Sequence, residues 1–364
     1  MGKIKRFIDC YIPTETCNLR CHYCYITQKR RFNAVIASFT HTPAEIRTAL
    51  SKDRLGGTCL MNLCAGGETL LSQDVLPVVK ELLREGHYVM IVTNGTISHR
   101  FDEILQWEEE LLKHLFIKFS FHYLELIRLK WLDRFFENVN KMKKAGVSFT
   151  VEVTPSDELV PYIEEMKGVC LKNLGALCHI TIARDDKTHG IEVLSALSWD
   201  DYKNTWNEFD SALFEFKTRI FKVKRKEFCY AGAWSYYLDL KTGRLKQCYK
   251  GNVLGNIYED ISAPIPQKPV GSHCPLPHCY NGHAFLALGD IPELPAPTYA
   301  EERNRICADG SEWLQPEVKA FMSSKLYETN KQYGLWKKKV IALNQWAVQR
   351  GIRDTRIYRL FHKA

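Results

Sequence analysis

Three cysteines fall within eight residues, at Cys17, Cys21 and Cys24 of Cys17-Asn18-Leu19-Arg20-Cys21-His22-Tyr23-Cys24, and no other feature restricts this chain as much. Thiols this close can share one metal centre, yet three thiolates fall short of the four that an iron-sulfur cluster takes. An open metal position marks a site built for chemistry, by the logic that separates catalytic from structural zinc, whereas a closed one only holds the chain together. A zinc knuckle, with His22 or a remote residue as fourth ligand, is the structural alternative.

The chain has 364 residues and 13 cysteines, and 45% of it is apolar, which suits a full core plus one or two small domains. Its start, Met1-Gly2-Lys3-Ile4-Lys5-Arg6, has no long apolar run and puts Arg6 where a myristoylation signal wants Ser or Thr. No later run reaches the roughly 18 apolar residues that span a bilayer. The expectation is a cytoplasmic protein without a membrane partner, whose clustered cysteines bind metal rather than pair as disulfides. The formal charge of +8 sits at the end: residues 317–364 hold 11 Lys or Arg against 3 acids, while the first 316 balance at 39 against 39. Such a tail can attract anionic substrates or nucleic acid, or form a solvated helix face.

The first half alternates strand-like runs with helical patterns. Strands are expected at 4–12, 59–64, 88–92, 115–121, 147–153 and 177–183. Thr42-Pro43-Ala44-Glu45 is a capping box with Pro at the first helical position, and a further helix is expected over 73–85. Six strand-helix repeats predict a partial, six-unit (β/α)6 TIM-like barrel of the α/β class. The cysteine loop follows strand one at its carboxyl end, where parallel barrels place their chemistry. Gly66-Gly67-Glu68 follows strand two; its glycines allow backbone to approach a ligand, and its acid can accept from a cationic amine. Thr93-Asn94-Gly95 ends strand three. On strand four, alternation puts Lys118, Ser120 and His122 on one face.

The spacing Cys-x3-Cys-x2-Cys, with Tyr23 before the third cysteine, resembles the radical S-adenosylmethionine (radical SAM) superfamily. The resemblance implies a 4Fe-4S cluster on Cys17, Cys21 and Cys24, with the amine and carboxylate of S-adenosylmethionine on the fourth iron. Reductive cleavage would release a 5'-deoxyadenosyl radical, fed by a flavodoxin- or ferredoxin-type reductant. By the same resemblance Tyr23 lies beside the adenine, and Gly66, Gly67 and Glu68 correspond to the motif that binds the amino group. Thr93 and Asn94 correspond to the family's polar turn, and Ser120 contacts the ribose or carboxylate. Glu152, Thr181, Arg184 and His122 are further candidates for cofactor or substrate, with satisfied ion pairs or a hydrogen-bonded wall as the plain alternative. Cys64 reads as a buried strand cysteine.

Residues 191–228 read as a helical bridge around 199–216. Beyond it, Cys229 and Cys248 flank an alternating hairpin turning at Lys241-Thr242-Gly243, and Cys274-Pro275-Leu276-Pro277-His278-Cys279 adds two more thiols. Together they have the makings of a closed four-thiolate site, with zinc as the structural alternative. The opening element, Cys229 through Gly243 to Cys248, resembles SPASM and twitch-type extensions; the fuller cysteine array of a SPASM domain is missing, so one auxiliary 4Fe-4S cluster is expected. Cys10, Cys59, Cys170 and Cys178 read as structural, and Cys307 stays undecided.

The expected organisation is a barrel over 1–190, the bridge over 191–228, a small cysteine-rich α+β auxiliary-cluster domain over 229–290, and a Pro-rich linker with a basic helical tail over 291–364. In that tail Trp336, Val340, Leu343 and Ala347 form a stripe read as docked core, and Lys337 to Lys339 with Arg350, Arg353, Arg356 and Arg359 supply charge. The expected function is hydrogen-atom abstraction from a substrate carbon. Peptide modification (dehydrogenation, epimerisation or crosslinking) ranks first, and oxidation or epimerisation of a small sugar or aminoglycoside second. A zinc-stabilised nucleic-acid-binding protein is the alternative of another class.

Overall fold

The computed structural model describes residues 2–349, and side chains as far as Gln345. Six strands run parallel in chain order: β1 Arg6–Ile12, β2 Cys59–Ala65, β3 Tyr88–Thr93, β4 Leu115–Ser120, β5 Ser148–Val153 and β6 His179–Ile180. Their mostly apolar sequences suit strands buried on both faces, and the burial of β1, β2 and β5 bears this out. A sheet whose order follows the chain without reversal is singly wound, as in a barrel, so every crossover lies on one face. The helix Pro43–Ala49 starts as expected: Thr42 accepts from the amide of Glu45, and the Glu45 carboxylate accepts from the amide of Thr42.

Sequence spacing does not reveal what happens at the other edge. After two short antiparallel strands, β7 Arg184–Asp185 and β8 Glu192–Val193, the chain returns to the beginning of the sheet. There β9 Ser235–Asp239 pairs parallel with β1, Phe7 opposite Ser235 and Tyr11 opposite Asp239. The strands β10 Arg244–Lys246 and β11 Val253–Asn256 then add antiparallel. The expected hairpin therefore exists, and it continues the barrel sheet instead of standing apart as a cap.

The bridge is helical as expected, built of two helices, Trp199–Asn207 and Ala212–Ile220, separated where Asp210 takes a positive φ of 46° and Ser211 caps the second. Two other expectations change. Residues 291–330 are no linker: Tyr299, Arg303, Trp313, Phe321 and Leu326 are buried against the barrel. The stripe on the helix Leu335–Gln349 is not docked, since Trp336 is 79% and Leu343 66% exposed. Another face holds that helix. Lys338 pairs with Glu293 at 2.9 Å and covers the rings of Phe228 and Tyr230, while Ile341 packs against the buried apolar cluster that contains Phe228, Tyr230 and Trp234. Ala347 and the four arginines fall outside the described side chains. Among the described residues no helix is long and apolar enough to cross a membrane.

Candidate active site

The carboxyl ends of the parallel strands supply nearly every candidate residue. Just after β1 the cysteine loop runs against the turn after β2. Here the amide of Gly66 donates to the carbonyl of Ile12, that of Gly67 to Thr14, and that of Glu68 to Thr16 at 3.0 Å. A Cβ on Gly67 would lie 2.0 Å from the Thr16 carbonyl oxygen, so glycine is needed for this approach of one loop to the other. Glycine was expected here for the approach of a ligand; the contact observed is between the two loops.

Glu68 is buried and fully engaged. Its Oε1 accepts from the Thr93 hydroxyl at 2.6 Å and the Leu70 amide at 2.9 Å, and its Oε2 accepts from the Asn94 amide at 2.7 Å. The carboxylate thus fastens the end of β3 to that of β2. Burial raises its pKa and these three donors oppose the shift. Asn94 donates its side-chain amide to Asn18 at 2.7 Å and reaches the Cys17 sulfur at 3.8 Å, which joins the turn after β3 to the cysteine loop.

Two adjoining cavities result. The first, about 200 Å³, has walls from Cys17, Cys21, Cys24, Gly66, Gly67, Glu68, Thr93 and Asn94. The second, about 260 Å³, is lined by Tyr23, Lys118, Glu152, Thr181, Arg184 and Lys217, with Asn281 and His283 from the segment after β11. Cys24, Tyr25, Ser120 and His122 border both. Lys118, Ser120 and His122 thus share a face, as alternation along β4 predicts. Tyr23 hydrogen-bonds His122 Nδ1 through its hydroxyl at 2.7 Å, and burial lowers the His122 pKa to about 4, so the imidazole is neutral at pH 7. Glu152 is an ion-pair centre. Burial would raise its pKa, but Arg303 at 3.2 Å and Lys118 at 2.7 Å outweigh it and hold the carboxyl at about 2.

The three thiols suit a metal cluster. Burial pushes Cys17 up to about 11 and raises Cys21 and Cys24 as well, and thiols in such a place ionise only when a bound cation compensates. Among the described residues no three His, Cys, Asp or Glu side chains converge as tightly as a single ion requires; a multi-iron cluster holds its thiolates farther apart than one zinc does.

Cys229, Cys248, Cys274 and Cys279 also come together. All four line one small cavity, about 40 Å³, walled by Val270, Leu276, Phe285 and Ile291. Burial again pushes their thiols up, Cys248 to about 11. Cys307 is elsewhere, in the core beside Gly175, with its thiol on the carbonyl of Leu174 at 3.3 Å. Cys10, Cys59, Cys170 and Cys178 are buried. Cys64 borders the first cavity, and burial raises its thiol to about 12.

Sequence reasoning missed Lys217, Asn281 and His283. Lys217 left a signal: it falls between Leu213, Phe214 and Ile220 on the apolar stripe of its helix, where a charge needs a reason.

Residues 11–155 match the family model of the Radical SAM superfamily. Over 90 residues, a quarter of this chain and 39% of the relative, the sequence is 31% identical to 7-carboxy-7-deazaguanine synthase of Thermoplasma acidophilum. The fold is similar to that of Streptococcus suis SuiB bound to its precursor peptide SuiA, at 12% identity and a TM-score of 0.50, covering 72% of this chain and 65% of that one. The anSMEcpe structure with bound AdoMet aligns at 16% identity and a TM-score of 0.47, over 70% of this chain and 79% of that chain. The chain thus spans less than two thirds of the curated relative and of the SuiB structure.

Proposed function

The chain belongs to the radical SAM superfamily, and on that premise we propose that its two cavities divide the reaction, cofactor in the first and substrate carbon in the second. When bound, a 4Fe-4S cluster and S-adenosylmethionine supply one-electron cleavage to methionine and a 5'-deoxyadenosyl radical, which takes a hydrogen atom from the substrate and leaves as 5'-deoxyadenosine. Cys17, Cys21 and Cys24 are the cluster's ligands. Glu68, with its oxygens engaged by Thr93, Asn94 and Leu70, acts by holding the turn rigid beside the cysteine loop, which fixes the wall of the first cavity. Ser120 borders both cavities, Tyr23 lines the second, and neutral His122 orients the Tyr23 hydroxyl.

The observation that carries this reading is the shared wall of Cys24, Tyr25, Ser120 and His122, which sets any group in the second cavity directly beside the first. We propose further that Cys229, Cys248, Cys274 and Cys279 bind one auxiliary 4Fe-4S cluster. Four thiolates would leave such a cluster no open iron for substrate, and the chemistry it would supply is one-electron acceptance, while Cys229, Cys248, Cys274 and Cys279 would hold it. A peptide side chain entering the second cavity is the first substrate reading, as in SPASM-type proteins. The cavity's compactness favours a small sugar-like molecule as the second. The reductant is a flavodoxin- or ferredoxin-type protein.

The test is anaerobic reconstitution. Cys274→Ala with Cys279→Ala is expected to leave about half the iron, still cleave some S-adenosylmethionine, and lose product. Full product without the second cluster would make that site a structural staple.

A further inference from the structure

In the second cavity the positive charges exceed the carboxylates available to them. Its two lining acids are already engaged: Glu152 by Lys118 and Arg303, and Asp186 by Lys29 at 4.0 Å. Arg184 and Lys217 remain. Among the described residues neither has a carboxylate within 4 Å. Among the described residues Lys217 hydrogen-bonds only the Thr181 hydroxyl through its ammonium, and Arg184 donates from Nη1 to the Tyr280 carbonyl at 3.1 Å, with no acceptor among them for Nε or Nη2. The two side chains also line a smaller adjoining cavity together with His278, Cys279 and Tyr280, so they lie on one wall, next to the second cysteine set.

Two cations on one cavity wall, without an acid of their own, cost folding free energy that an anionic ligand would return. Burial and the neighbouring Arg184 and Lys118 push the Lys217 pKa down against the opposing charge of Glu152, which is already paired with Lys118 and Arg303. The fork of Arg184 and the point charge of Lys217 suit the oxygens of a carboxylate or phosphate.

We propose that Arg184 and Lys217 form an oxyanion-binding pair, and that the substrate carries a carboxylate or phosphate which they hold while its neighbouring C-H bond faces the cofactor cavity. This inference rests on the proposed division of the two cavities. It also argues against a polycationic aminoglycoside, which would meet like charge here.

Calorimetric titration of the full chain, reconstituted and loaded with S-adenosylmethionine, tests it with inorganic phosphate in one arm and succinate in the other. One probe is expected to bind saturably, and the arm that does so identifies the anion. Lys217→Met should weaken that probe at least about tenfold while melting no lower than the parent, since it removes a half-buried charge without a salt-bridge partner among the described residues; Arg184→Gln should weaken it as well. Binding of neither probe, or equal binding to Lys217→Met, would overturn the proposal. So would a parallel loss of S-adenosylmethionine affinity, because the pair would then belong to the cofactor's carboxylate. Probe binding by a protein that cleaves no S-adenosylmethionine would leave the anion site standing and remove the proposed function.

Discussion

Asn281 donates its side-chain amide to Asp9 across 2.9 Å, so the loop that bears Cys279 is hydrogen-bonded to the first strand of the barrel. Asp9 Oδ1 accepts a second bond, from Asn62 at 2.7 Å. Burial nevertheless dominates and raises the Asp9 pKa to about 6, against 3.8 for a free side chain.

That shift fixes the sign of a pH effect. The folded state disfavours the ionised carboxyl, so ionisation costs stability above pH 6, and stability is regained as pH falls from about 6 to about 4. Linkage puts the limit near 3 kcal/mol. Asp9→Asn should melt higher than the parent at pH 7.5 and converge with it near pH 4. The Asn62 carbonyl oxygen, which has no partner, can turn to receive the new amide. A parent and variant that stay parallel through this range would show that Asp9 titrates normally.

Gly67→Ala places a methyl group against the Thr16 carbonyl. The cysteine loop must then move from the turn after β2. Iron per chain should drop by about half, with the loss confined to the cluster of the first three cysteines. Unchanged iron would mean that the loops can part without affecting the thiols.

Glu68→Gln replaces one carboxylate oxygen with a donor that faces either Thr93 and Leu70 or Asn94. An unsatisfied buried donor costs about 1–3 kcal/mol, and loosening of the turn should weaken S-adenosylmethionine by about tenfold or more. Equilibrium dialysis of the reconstituted variant reads this directly; parental affinity would show that the turn is held by its backbone bonds alone.

Much of the barrel was legible because its determinants are local. Apolar runs marked β1 to β5, and the capping box at Thr42 marked its helix. Both cysteine sets could be read from spacing, and alternation along β4 brought Lys118, Ser120 and His122 to one cavity. What escaped depends on distant partners. Nothing in Ser235 to Asp239 says that the strand pairs with β1 rather than with its own hairpin alone. Arg303 lies in a Pro-rich stretch that reads as linker, yet it completes the charge around Glu152. Trp336 and Leu343 have helical spacing, but the helix turns Lys338 and Ile341 to the protein instead. Periodicity identifies an amphipathic face without saying which side has a neighbour.

The claim on which the rest depends is that Cys17, Cys21 and Cys24 hold the cluster that opens S-adenosylmethionine. Reductive cleavage by the triple variant Cys17→Ala, Cys21→Ala, Cys24→Ala, measured anaerobically as 5'-deoxyadenosine beside the iron content, tests it most directly. The account predicts no 5'-deoxyadenosine above background and the loss of one cluster's iron, with the iron at Cys229, Cys248, Cys274 and Cys279 retained; 5'-deoxyadenosine formed at the parental rate would contradict it.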